Sequence, residues 1–244
     1  MNRTELGPRT LLIMPAWNES DVIAETIRTV REELAADLLV IDDGSGDSTA
    51  ELAATAGAIV IQHPYNLGVG AAIHTGLRFG FEHRYDRVVQ IDADGQHDPV
   101  YVPILLRALD SADMVVGTRF GHEYKTGVLR RIVMRALSKR VSRSLGIEIN
   151  DTTSGFRAFG PAALAAFAQS YPSAYLCDTV EALLMCGEQK LRVATVEVKM
   201  QHRQGGIPSS GPFKSGLYLV RLSLLLVVNA HQTPRIVARR LLPS

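Results

Sequence analysis

Asp92 and Asp94 are the first residues whose types and spacing suggest chemistry. They stand in IDADGQHDP, directly after the apolar run RVVQI. An Asp-X-Asp leaving a strand abandons the pleat, so both carboxylates can turn toward one point. Hard carboxylate oxygens suit Mg2+ or Mn2+, and such an ion bridges substrate phosphates. Gln96 can add a neutral oxygen, and His97 can ligate Mn2+ less readily. Asp-Gly is also common in plain solvated turns, so the pair needs company before it means a site.

Company is present in five other segments. Asp42 and Asp43 end the run LLVI, where a carboxylate can accept from a ribose hydroxyl or a base N–H. Two adjacent carboxylates repel unless donors or a cation relieve them. Capping by Ser45, Asp47 or Ser48 explains part of that cluster but not the adjacent pair. Pro15, Ala16, Asn18 and Glu19 follow LLIM and can wrap a nucleobase edge, or merely stop a strand and cap a helix. Asn66 to Gly70 form a glycine-containing loop before a helix, where backbone N–H groups suit phosphate. Arg203 and Lys214 flank a Gly/Ser/Pro-rich stretch that can close over a diphosphate and stabilise its leaving charge. Asp178 and Glu181 near a helix start can supply a general base, or can simply favour the helix dipole.

These clusters need elements to hold them. Short apolar runs at 11–14, 38–41, 58–62, 87–91 and 113–117 read as strands. Helical patterns lie between them, at about 20–36, 48–56, 70–83 and 99–109. Asn18 or Ser20 is the expected cap of the first helix. Alternating strands and helices imply a mostly parallel sheet covered on both faces. The second half is less regular. It holds a basic helix at about 127–145, a turn at NDTTSG, a strand FRAF, helices near 161–168 and 178–187, and a strand RVATVEV. In an open parallel sheet ligands sit beyond the carboxyl ends of the strands, and that is where the polar clusters fall. Trp17 and the histidines at 63, 74, 83, 122 and 231 read as packing or surface.

Composition narrows the class. The 244 residues are 46% hydrophobic and 21% charged, which excludes a disordered, collagen-like or coiled-coil chain. Net charge is +1, so no global polyanion partner such as nucleic acid is indicated. Two cysteines do not make a disulfide framework. No secretion signal is evident, which makes the cytoplasm the expected location. The apolar stretch 217–230 has 14 residues, short of the roughly 20 that span a bilayer. With its basic flanks it reads as an interfacial helix, or equally as a core or dimer helix. Basic residues gather at 119–143 and after Glu197, where no acidic residue occurs. Such segments point to phosphate, as nucleotide or lipid headgroup.

Taken together, PAWNES, VIDDGSGDST, HPYNLGVGAA, VVQIDADGQHDP, VVGTRF, SGFRAF and RQGGIPSS resemble family 2 glycosyltransferases of the GT-A fold. The branch most similar holds dolichyl- and polyprenyl-phosphate sugar synthases and related bacterial cell-envelope transferases. The resemblance covers about residues 9–215. It implies an α/β fold with a Rossmann-like, mostly parallel sheet, a nucleotide half at about 9–120 and an acceptor half at about 121–215. A C-terminal apolar helix and basic tail would occupy 216–244. It also implies a nucleotide-diphospho-sugar donor (GDP-, UDP- or dTDP-sugar), Mg2+ or Mn2+, and inversion at the anomeric carbon. Carried over by motif, Asp92, Asp94 and Gln96 would hold the metal. Pro15, Ala16, Glu19 and Asp43 would contact the nucleoside, and Gly68 and Gly70 would line its pocket. Arg119 and Arg203 would face phosphates, and Ser154 and Gly155 would shape the acceptor side. Asp94 and Arg203 would serve catalysis, with Asp178 or Glu181 as base if the acceptor is a hydroxyl.

This sequence departs from the branch in two places. Asp151-Thr152-Thr153-Ser154-Gly155-Phe156 lacks the Pro usual after the Asp, and the C-terminal pair of membrane helices that some relatives carry is not expected in residues 216–244. The acceptor is therefore expected to be a lipid phosphate at the membrane surface or a soluble hydroxyl compound, and a homodimer is compatible with either. Two rival readings are a non-catalytic nucleotide-sugar-binding partner of a membrane enzyme and a haloacid-dehalogenase-type phosphatase. The latter shares a strand followed by Asp-X-Asp. However, its nucleophile lies near the chain start and a Thr stands where Gln96 stands here.

Overall fold

The computed structural model of the chain describes residues 4–119, 128–149, 151–172 and 178–201, with 128–130 and 132 as backbone only. The expectations placed on Arg203, Lys214 and the stretches 204–216 and 217–230 lie outside these residues.

Apolar alternation organises the sheet. Strand β2 (Thr10–Ala16) is buried almost throughout, and it sits in the middle with a parallel neighbour on each side. Its odd residues Leu11 and Ile13 join one core, and its even residues Leu12 and Met14 join the other. That is the period-2 consequence of side chains pointing to opposite faces.

A short pair, β1 (Thr4–Glu5) and β3 (Leu34–Ala35), stands apart from the main sheet. Helix α1 (Ile23–Glu33) follows β2 and buries Ile23, Thr26, Ile27 and Val30, the spacing of a single helix face. Next come β4 (Asp37–Asp42), α2 (Thr49–Thr55), β5 (Ile59–Gln62), α3 (Val69–Glu82) and β6 (Arg87–Gln90). A 3-10 turn (Pro99–Tyr101) leads into α4 (Val102–Ala108), β7 (Met114–Arg119) and α5 (Val128–Leu145). The described chain ends with β8 (Arg157–Phe159), α6 (Pro161–Gln169), α7 (Asp178–Glu188) and β9 (Val193–Val198).

The sheet order is β5-β4-β2-β6-β8-β7-β9. Every neighbouring pair is parallel except β6–β8 and β7–β8. The expected mostly parallel sheet is therefore present, with one reversed strand inserted near its middle. Residues of α1, α2 and α4 fill one core, and residues of α3, α5, α6 and α7 fill the other. The sheet is thus a middle layer between two layers of helices. Strand β8 belongs to the expected acceptor half yet lies between two strands of the nucleotide half, so both halves share one sheet.

The first helix starts later than its expected cap. Its N-cap is Val22, which makes no side-chain cap bond. Asn18 and Ser20 are engaged with another loop instead.

Candidate active site

The loops leaving β2, β4 and β5 are tied to one another by polar contacts. The Asp43 N–H donates to the Ala16 carbonyl at 2.8 Å. The Asn18 N–H donates to Ser45 Oγ at 2.9 Å, and Asn18 Oδ1 accepts from the Gly46 N–H at 2.9 Å. The Glu19 N–H donates to Thr49 Oγ1 at 2.9 Å, and the Ser20 N–H donates to Asp47 Oδ2 at 3.2 Å. Asp47 also accepts from the Thr49 N–H, and these bonds hold its carboxyl below the usual range against the opposing effect of its burial. The residues expected to cap α1 therefore bridge two loops. Asn18 takes a left-handed φ of 53° to do so, a conformation Asn tolerates better than most residues.

The adjacent carboxylates at the end of β4, Asp42 and Asp43, divide their work. Asp42 accepts from the Ser45 N–H and hydroxyl with one oxygen and from Gln62 Nε2 with the other. Asp43 Oδ1 accepts from His63 Nδ1–H at 2.7 Å and the Leu67 N–H at 2.9 Å. Asp43 Oδ2 accepts from the Gly68 N–H at 2.8 Å. These donors relieve the repulsion between the two carboxylates. Asp43 is buried and pins residues 63–68 so that α3 starts at a fixed place. The remaining His63 nitrogen, Nε2, lies 2.9 Å from Thr75 Oγ1 on that helix. Gly44 is a necessity here. Its φ is +68°, and a Cβ would lie 2.4 Å from the Tyr65 carbonyl carbon.

The Asp92–Asp94 turn emerges from β6. The Asp92 N–H donates to His97 Nδ1 at 3.0 Å, which fixes the ring proton on Nε2. The ring is buried and stacks on Phe156, with centroids 4.7 Å apart and an interplanar angle of 11°. Burial pushes the His97 pKa down, so the ring stays neutral, although the charges of Asp92 and Asp94 act against this. The Asp92 side chain is 36% exposed and remains open toward the rim. Asp94 is more enclosed, and its Oδ1 accepts the Gln96 N–H at 3.0 Å.

The SGF segment closes the site from the other side. A Cβ on Gly155 would sit 2.8 and 2.9 Å from the two carboxylate oxygens of Asp92. Only a glycine lets this backbone approach so closely. Ser154 is buried, and its Oγ accepts from the Phe156 N–H at 3.3 Å. Behind the turn, Arg157 is fully buried. Its Nη1 donates to the Tyr171 hydroxyl at 2.8 Å, and its Nη2 lies 3.5 Å from Asp178 Oδ2. Burial raises the Asp178 pKa, and the Arg157 guanidinium pulls it back toward the charged form. Asp178 is thus a counter-ion, while Glu181 stands half-buried in the same first turn of α7. Arg119 ends β7, and its charge reaches His97. The Gln201 N–H donates to the Gln96 carbonyl at 2.9 Å, and its Nε2 donates to Asp98 at 3.1 Å. The described chain therefore ends beside the Asp92–Asp94 turn.

The structure thus brings Pro15, Ala16, Glu19, Asp43 and Gly68, with Gly70 in the first turn of α3, onto one linked set of loops. It brings Asp92, Asp94, Gln96, Ser154 and Gly155 onto a second. Among the described residues there is no group of three or more His, Cys, Asp or Glu that could hold a metal by itself. Two carboxylates with a neighbouring amide still fit Mg2+ or Mn2+, because such ions are commonly held by one or two carboxylates together with substrate phosphates. His97 does not fit as a ligand through Nδ1, which the Asp92 N–H occupies. Sequence reading took His63 only as packing or surface and gave no role to Phe156 or Arg157. The only sequence signal for Arg157 was a charge inside the apolar run FRAF.

Comparison with known proteins identifies relatives of the chain. The chain is 35% identical over 160 residues to an undecaprenyl-phosphate mannosyltransferase of Micrococcus luteus, covering 62% of this chain and 66% of that protein. It is 35% identical over 162 residues to a polyprenol monophosphomannose synthase of Mycolicibacterium smegmatis, covering 62% and 61%. The chain thus spans just under two thirds of the length of these relatives. Among solved structures, glucosyl-3-phosphoglycerate synthase from Mycobacterium tuberculosis, crystallised with Mn2+, UDP and phosphoglyceric acid, superposes with a TM-score of 0.72. That match is at 22% identity and covers 93% of this chain and 80% of that one. This likeness bears out the GT-A fold. The profile of glycosyl transferase family 2 matches residues 11–166, and with the Asp92–Asp94 turn at the carboxyl edge of its sheet, the chain belongs to glycosyl transferase family 2.

Proposed function

We propose that the protein transfers a sugar, with inversion, from a nucleoside-diphospho-sugar to a polyprenyl-phosphate acceptor. The observation that carries this reading is the Asp92–Asp94 turn, clamped by His97 and Gly155 where the strand-end loops meet. The relatives named for undecaprenyl-phosphate and polyprenol substrates support the acceptor class. The Mn2+ and UDP bound by the structural neighbour support the donor class.

Asp92, Asp94 and Gln96 would hold a divalent ion, which when bound supplies positive charge to the diphosphate. Residues 15–19 and the 63–68 loop receive the nucleoside, with Asp43 holding that loop in place. Arg119 and Arg203 face the phosphates and stabilise the charge of the leaving group. In the reaction an acceptor oxygen forms a bond to the anomeric carbon from the face opposite the diphosphate. The bond from that carbon to the β-phosphate oxygen breaks, and the nucleoside diphosphate leaves with the electron pair. A lipid phosphate is already anionic and needs no strong base. The pairing of Asp178 with Arg157 supports such an acceptor over a neutral hydroxyl.

Thermal denaturation with UDP, GDP or dTDP, each with and without Mn2+, tests the donor site. Saturation a hundredfold above Kd stabilises the native state by about 2.7 kcal/mol. One nucleotide should raise the melting temperature only with Mn2+, and Asp94→Ala should abolish the rise. No rise with any nucleotide would remove the donor site and with it the transferase reading.

A further inference from the structure

Helix α5 (Val128–Leu145) has 18 residues and not one acidic side chain. It is the basic segment the sequence singled out, and the donor site does not use its length. Val133, Met134, Leu137 and Val141 are buried in the core shared with α3, α6 and α7. The exposed positions whose side chains are described are Arg131, Arg135, Ala136, Lys139 and Arg143. Four of these five carry a positive charge, and they follow one another at every fourth residue. At about 1.5 Å of rise per residue the row runs about 18 Å along the helix. Arg135, Lys139 and Arg143 have no ion pair with any described residue.

Like charges at successive i,i+4 positions destabilise a helix modestly, and an anionic surface offsets that repulsion. We propose that this row is the face by which the protein adsorbs to an anionic lipid surface. The occupant follows from charge complementarity, a linear run of cations against a plane of phosphate headgroups. Among the exposed described positions of the helix only Ala136 is uncharged, so contact along this row is electrostatic and reversible. The whole chain carries a net charge of only +1, which argues against a polyanion such as nucleic acid as the partner. The proposal deepens the polyprenyl-phosphate reading by naming the surface that brings the site to its acceptor.

Flotation with vesicles of phosphatidylcholine alone, or mixed with phosphatidylglycerol, tests it. The full chain should bind only the mixed vesicles, and less so as salt rises. The combined variant Arg135→Gln, Lys139→Gln, Arg143→Gln should bind about a hundredfold more weakly, since each cation contributes about fivefold to the partition. Arg135→Lys with Arg143→Lys should retain binding, because it keeps the charge. The Mn2+-dependent nucleotide shift should be the same in all three proteins. Wild-type binding by the glutamine variant overturns the proposal, as does failure of the full chain to bind anionic vesicles at low salt. Loss of binding in the lysine variant, or a stronger affinity for duplex DNA than for vesicles, also overturns it. Failure of the donor reading shows separately, as loss of the nucleotide shift with vesicle binding intact.

Discussion

His97 lies flat on Phe156, and the same imidazole accepts the backbone N–H of Asp92. The ring is held from two directions, and it in turn fixes where the Asp92–Asp94 turn leaves the sheet. Outer residues that orient a metal-binding side chain commonly matter about 10- to 100-fold for affinity or activity. His97→Ala should weaken the Mn2+ dependence of nucleotide binding by about tenfold or more while the protein still folds. A Mn2+ titration at fixed nucleotide checks this, and an unchanged midpoint would show that the turn holds its shape alone.

Gly155 is open to a more severe steric test. Its missing Cβ leaves the space that the Asp92 carboxylate fills. In Gly155→Ala either that carboxylate or the β8 segment must shift. Displacements of this size at a reacting centre cost about a hundredfold in rate. Transfer to lipid acceptor should fall by that order, with a nearly unchanged melting temperature without ligand. Wild-type turnover would mean that Asp92 tolerates displacement.

Asp43 accepts three hydrogen bonds from the loop it faces, so its removal should register in the free protein. Asp43→Ala leaves His63 and two backbone N–H groups without their partner and should cost about 3 kcal/mol in urea unfolding. A contact made only to nucleoside would instead leave unliganded stability at the wild-type value and weaken binding alone.

Asp178 separates two acceptor chemistries. Asp178→Asn leaves the buried Arg157 charge without its counter-ion, a loss of about 3 kcal/mol. If the acceptor is already anionic, kcat and its pH profile should otherwise follow the wild type. An acidic limb, with kcat falling as a carboxylate base protonates at low pH, present in the wild type and absent in Asp178→Asn, would place the residue in proton transfer instead.

The alternating strands and helices were legible because both periods are local. The rim clusters were legible because chemistry-bearing residues concentrate where strands end. What escaped depends on distance along the chain. Asn18 and Ser20 look like helix caps within their own segment, but their partners are Ser45, Gly46 and Asp47 in another loop. His63 carries no ligand spacing, and its role follows from Asp43, twenty residues earlier. The three residues of β8 are too few to announce an orientation, so nothing in FRAF foretold a reversed strand. Arg157 became intelligible only when Tyr171 and Asp178 closed around it.

That reversed strand bears on how the protein can be divided. A fragment ending after β7 would lose the piece that joins β6 to β7. Its sheet would break into two parts, each with a bare hydrogen-bonding edge. Such edges recruit other chains, so the fragment should aggregate before it could bind a nucleotide. Exchanging acceptor preference between relatives by grafting at residue 120 would meet the same obstacle. Viable chimaeras would need their joints in the loops on either side of β8, with that strand inherited from the same parent as β6 and β7.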